Sequence, residues 1–64
     1  MYPNVKFRLH ERRMTQIQLA SELKINSTLL NKYLNGARPI PKPIREAIVR
    51  ILERDEEWLF RKPW

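Results

Sequence analysis

The chain has 64 residues, with 13 Lys or Arg against 7 Asp or Glu, a net charge of +6 and no cysteine. A single domain is expected over residues 1–64, burying only about 60% of the surface that the unfolded chain exposes; without cysteine, disulfides and thiolate metal clusters are excluded and helix packing must supply the stability. No apolar run approaches the roughly 18 residues of a membrane span and no signal-peptide core is present, which predicts a cytoplasmic protein with no membrane partner.

Val5 and Leu9, four apart, predict a first helix from Val5 to about Arg12 with one apolar edge. Thr15 and Gln18 have the spacing of a capping box, which places a second helix over Gln16 to Leu23. Lys24 and Ile25 form the turn, and Asn26 is a good N-cap for a third helix. That helix is expected to end at Asn35, because Gly36 supplies a left-handed residue. Pro39, Pro41 and Pro43 forbid a regular helix through this stretch, although Pro41 or Pro43 can open the next one, where a missing amide costs little. Ile44, Ala47, Ile48, Ile51 and Leu52 then mark one buried face of a fourth helix. Asp55 is an N-cap with Glu56 and Glu57 in the first turn, where the helix dipole favours anions, and Trp58, Leu59 and Phe60 close the core from a short fifth helix. The expected fold is all-α, with five helices and no strands.

Residues 15–38 carry the strongest functional signal. With Gln16 as its first residue, a twenty-residue helix-turn-helix requires apolar groups where Leu19, Ala20, Leu23, Ile25, Leu30 and Tyr33 stand. On the second of those helices Ser27, Thr28, Asn31, Lys32 and Asn35 remain outward, a stripe with donors and acceptors but no negative charge, suited to meet double-stranded DNA. Charge is distributed accordingly: residues 1–45 hold nine Lys or Arg against Glu11 and Glu22, whereas residues 46–64 hold four against five acids. Enzymatic chemistry is not expected. The chain has one glycine, hence no phosphate-cradling glycine loop, and no cysteine nucleophile; its lone histidine, His10, reads as a solvated residue and leaves no metal site or cofactor.

The segments MTQIQLASEL (Met14 to Leu23), STLLNKYLNGARPIP (Ser27 to Pro41) and DEEWLF (Asp55 to Phe60) resemble the phage repressor and Cro family, the XRE-type, lambda-repressor-like helix-turn-helix proteins. The resemblance spans nearly the whole chain and implies a compact five-helix domain with the helix-turn-helix at helices 2 and 3. Two positions depart from the family pattern: Lys24 in the turn and Arg13 after helix 1 stand where the family usually has glycine. A side chain in the left-handed region costs roughly 1 kcal/mol relative to glycine, so either the turns differ or the strain is tolerated because these cations touch phosphates.

The resemblance further implies that helix 3 lies in the major groove with Ser27, Thr28, Asn31 and Lys32 at base edges. Their chemistry fits, since Lys donates to guanine O6 and N7, Asn bonds adenine in bidentate fashion, and Ser or Thr serves several bases. Leu29 either packs against a thymine methyl or is partly buried. Phosphate contacts are expected from Gln16, Lys24, Asn35, Arg38 and Lys42. For Gln16 and Gln18 the competing reading is a helix cap, and for Asn35 a helix ending. Trp58 and Trp64 are candidate dimer contacts, Trp58 also suiting the core. The implied function is a Cro-like repressor binding a palindromic operator as a weak or DNA-assisted homodimer. The alternative is a protein-interaction module, antirepressor-like or antitoxin-like, anchored by exposed Leu29, Leu34 and Trp64.

Overall fold

The computed structural model describes residues 2–63, and among these it contains five helices and no strand: α1 (Pro3–Glu11), α2 (Gln16–Leu23), α3 (Ser27–Leu34), α4 (Lys42–Leu52) and α5 (Glu56–Leu59). Helix α1 begins two residues before the expected Val5, because Pro3 occupies its first turn, where the ring sets a helical φ and no amide is lost. The starts of α2, α3 and α5 follow their capping side chains. Thr15 Oγ1 accepts from the Gln18 amide at 3.1 Å while Gln18 Oε1 accepts from the Thr15 amide at 2.8 Å, a complete capping box that assigns Gln18 to the cap. Asn26 Oδ1 accepts from the Thr28 amide at 2.6 Å, and Asp55 Oδ2 from the Trp58 amide at 3.2 Å. Pro41 is the residue before α4, with Pro43 in its first turn.

Helix α2 packs against α3 and α4, while α5 packs against α1 and α4. Between them lies one core in which Val5, Leu19, Leu30, Leu34, Ile48, Leu52 and Leu59 are completely enclosed, joined by Tyr2, Leu9, Ala20, Tyr33 and Ile40. The Cα radius of gyration, 10.4 Å, is close to the roughly 11 Å of a compact chain of this length, so the five short helices form one packed body. On α4 the predicted stripe is buried at Ile48 and Leu52 and half-buried at Ile44, Ala47 and Ile51. Cross-links from α1 complete the assembly. Asn4 Nδ2 donates to the Trp58 carbonyl at 2.8 Å, and Arg8 Nε donates to the Leu52 carbonyl at 2.7 Å, capping the end of α4.

Four helices end on a left-handed residue, and only one of these is glycine: Arg13 (φ 53°), Lys24 (φ 58°), Gly36 (φ 78°) and Glu53 (φ 53°). After α1, α2 and α3 the closure is a Schellman pair. In α2, the Ile25 amide donates to the Ala20 carbonyl at 3.0 Å and the Lys24 amide to the Ser21 carbonyl at 3.1 Å; Met14 to Leu9 and Ala37 to Lys32 are the counterparts after α1 and α3. The turns at Arg13 and Lys24 thus keep the geometry that glycine would favour. Each is held there because the next residue, Met14 or Ile25, packs against the core and fixes the direction of the chain.

Replacing Lys24 by Gly is therefore expected to raise stability by up to about 1 kcal/mol, less what glycine returns as unfolded-chain entropy. A higher midpoint in thermal melts followed by circular dichroism checks it; a lower midpoint would mean that the lysine side chain stabilises the turn by more than the strain it carries.

Candidate functional site

The N-terminal turns of α2 and α3 meet at an open groove lined by Gln16, Ile17, Ser27, Thr28, Asn31 and Lys32. Two caps produce this juxtaposition: Thr15 starts α2 one residue before Gln16, and Asn26 starts α3 one residue before Ser27. Burial of Leu19 and Ala20 on α2 against Leu30, Tyr33 and Leu34 on α3 then turns the remaining faces outward. Ser27, Thr28, Asn31 and Lys32 are all exposed, as is Asn35 one turn beyond Asn31. The groove has no carboxylate in its lining.

Asn31 and Asn35 are linked. Asn35 Nδ2 donates to Asn31 Oδ1 at 2.6 Å, an i, i+4 pair along the exposed face. The contact restrains both side chains and leaves the Asn31 Nδ2 group without a partner among the described residues. Asn35 itself follows the last helical residue, Leu34, with φ −87° and ψ −1°. Its amide therefore serves the neighbouring asparagine, alongside any contact outside the chain.

Four of the thirteen cations lie beside acids; the other nine, which include Lys6, Arg13, Arg50, Arg61 and Lys62, are exposed and form no ion pair among the described residues. Arg8 and Arg54 share Glu11, at 3.4 and 3.6 Å, Arg12 pairs with Glu53 at 2.9 Å, and Arg45 with Glu56 at 3.8 Å, so three glutamates partly offset these four charges within the domain. Lys24, Lys32, Arg38 and Lys42 are exposed and pair with no acid among the described residues. Lys24 in the α2–α3 turn, Arg38 in the loop after α3 and Lys42 at the start of α4 are among the expected phosphate contacts, whereas Lys32 on α3 is an expected base reader. Of the two uncharged residues of that expectation, Gln16 is half-buried at the groove and Asn35 is exposed.

Three apolar positions differ from expectation or resolve it. Leu34 is completely buried and cannot serve as an exposed anchor: the chain start crosses the end of α3, and the Tyr2 amide donates to the Leu34 carbonyl at 3.0 Å. Leu29 is half-buried and packs against the core. Trp58 is half-buried as well; the Arg54 guanidinium lies 3.7 Å from its ring centroid and Phe7 meets it edge-on at 6.3 Å, so most of its surface is used within the domain. Trp64 lies outside the described residues.

The chain matches no protein-family model, no curated protein and no solved structure. Function therefore has to be read from the site. Among the described residues no group of three or more His, Cys, Asp or Glu could hold a metal ion, and no helix is long and apolar enough to cross a membrane. Sequence reasoning assigned no role to Ile17 and Phe7, the two large apolar side chains left exposed among the described residues, at 71% and 54% of their surface. Helical periodicity held part of that signal for Ile17, which lies to the side of the Leu19, Ala20 and Leu23 stripe.

Proposed function

We propose that this chain is a sequence-specific double-stranded DNA-binding regulator, in which α2, its turn and α3 act as a helix-turn-helix of the repressor and Cro type. In this reading α3 enters the major groove. The observation that carries it is the groove at the starts of α2 and α3, which gathers Gln16, Ser27, Thr28, Asn31 and Lys32 with no carboxylate in its lining, while the adjoining turn and the loop after α3 carry the exposed Lys24 and Arg38. A reading face with one cation and no acid, and further cations in the adjoining turn and loop, match the division of labour at DNA, where phosphate contacts fix register and base-edge contacts discriminate sequence.

Ser27, Thr28, Asn31 and Lys32 are the proposed base readers, with Asn35 holding Asn31 in place. Lys24, Arg38 and Lys42 are the proposed phosphate contacts, and Gln16 adds one from the first turn of α2, where amides and dipole favour an anion. A domain this small covers one half-site, so a palindromic operator read by two copies, about one helical turn apart, accompanies the proposal. The rival reading as a protein-interaction module loses Leu34, one of its three anchors, to the core.

Selection of bound sequences from a random duplex pool tests the proposal. A palindromic consensus supports both DNA reading and pairing of two copies, a single half-site supports reading by one copy, and recovery of random sequence rejects specific recognition. Within that assay Arg38→Ala is expected to weaken binding to every duplex and to lower the slope of log K against log salt by roughly 1, the signature of one lost phosphate contact. An unchanged slope would remove Arg38 from the interface, and loss confined to one base position would make it a reader instead.

A further inference from the structure

We infer that Ile17 reads the 5-methyl group of a thymine, so that the target duplex carries a thymine at a fixed place beside the bases met by the start of α3. The inference rests on the DNA-binding reading above. Ile17 is the most exposed large apolar residue described, at 71%, and it is not among the side chains packed against the core. It occupies the second position of α2 and lines the same groove as Ser27, Thr28, Asn31 and Lys32.

The fold gains nothing from an isoleucine there. A β-branched residue is a poorer helix former than alanine, and burial does not compensate for it at this site. The occupant is constrained by what surrounds the side chain. Every other residue lining the groove is polar, and the one charge among them is that of Lys32. A protein partner needs a contact face on the order of 800 Å², with an apolar centre larger than one side chain. A polyanion that presents a single methyl group among hydrogen-bonding edges fits both the charge and the scale, and the major groove shows such a group only at thymine among the four standard bases. Leu29, the other apolar residue near this surface, packs against the core and is the weaker candidate.

The test uses the duplex recovered by selection, with each thymine replaced singly by deoxyuridine, which removes the methyl group and leaves every hydrogen-bonding atom in place. Binding of the wild-type chain, Ile17→Ala and Ile17→Val is followed by fluorescence anisotropy. At one thymine per half-site the wild type is expected to lose roughly fourfold in affinity on the change to uridine, the equivalent of one buried methyl group at about 0.8 kcal/mol. Ile17→Ala should bind the thymine and uridine duplexes alike, and Ile17→Val should keep most of the difference. Neither variant should melt below the wild type, since the side chain is exposed and alanine is the better helix former. Full uridine sensitivity in Ile17→Ala, or wild-type indifference to uridine at every thymine, would overturn the inference while leaving sequence-specific binding intact. Failure to recover any preferred duplex would overturn the DNA-binding reading and this inference together.

Discussion

Leu30→Ala is expected to remove most of the stability of this domain and, with it, the groove. Leu30 is completely buried on α3, between Leu29 and Asn31, and it joins the cluster formed by Leu19 and Ala20 of α2. Truncating an enclosed leucine costs about 2–5 kcal/mol, through lost burial and the cavity left behind. A chain of this size has a total of only about 3–10 kcal/mol to lose. Each kcal/mol lowers Tm by about 4–8 °C in a domain of this length, so a fall on the order of 10–30 °C is anticipated in far-ultraviolet circular dichroism melts. Leu30→Met, which keeps the volume, should cost less than about 1.5 kcal/mol. Equal and small effects of the two substitutions would mean that α2 and α3 are held together by something other than this contact.

On the recognition surface, Asn31→Ala and Lys32→Ala are each expected to weaken binding to the preferred duplex by about 1–3 kcal/mol and to relax the preference at one base position. Both side chains are exposed, so melting should be unaltered and the loss should belong to the interface. The two differ in their salt response. Asn31 is uncharged, so its removal should leave binding to random duplex and the salt slope as they were, whereas loss of Lys32 lowers both modestly. Asn35→Ala provides a control, because it releases the 2.6 Å contact to Asn31 without removing the amide proposed to read the base. It should give a smaller effect at the same base position. If affinity fell equally for preferred and random duplexes in Asn31→Ala, the base-reading role would have to be abandoned.

Much of the fold was legible because its signals are local. The caps at Thr15, Asn26 and Asp55 each satisfy amides within three residues of themselves, and a sequence spacing is enough to reveal them. The same holds for the α4 stripe and for the outward placement of Ser27, Thr28, Asn31, Lys32 and Asn35, which follows from helical periodicity once Leu30 and Tyr33 are assigned to the interior. The candidate site was readable to the same extent, as a set of exposed polar positions on one helix.

Contacts between segments distant in the chain decided the rest. Leu34 stands at i+4 from Leu30 on the buried stripe of α3, and the crossing of residue 2 over the end of that helix, 32 positions away, is the long-range contact that periodicity does not encode. Arg8 reaches the Leu52 carbonyl, and Arg12 reaches Glu53, only because α1 ends where α4 ends. The left-handed residues show how the two levels meet. Sequence marked Lys24 and Arg13 as positions where a glycine would be favourable, but left their conformation open; the packing of Ile25 and Met14 into the core fixed it, at a local cost of roughly 1 kcal/mol each. Glu53 adopts the same conformation after α4 with no glycine pattern to announce it. The sequence by itself thus determined where helices start and which faces turn outward, because hydrogen bonding and periodicity act over a few residues. Tertiary structure decided the left-handed conformation of Arg13, Lys24 and Glu53, the links from α1 to the end of α4 and the degree to which Ile17 stands exposed at the groove, because those outcomes depend on which surfaces the packed helices cover.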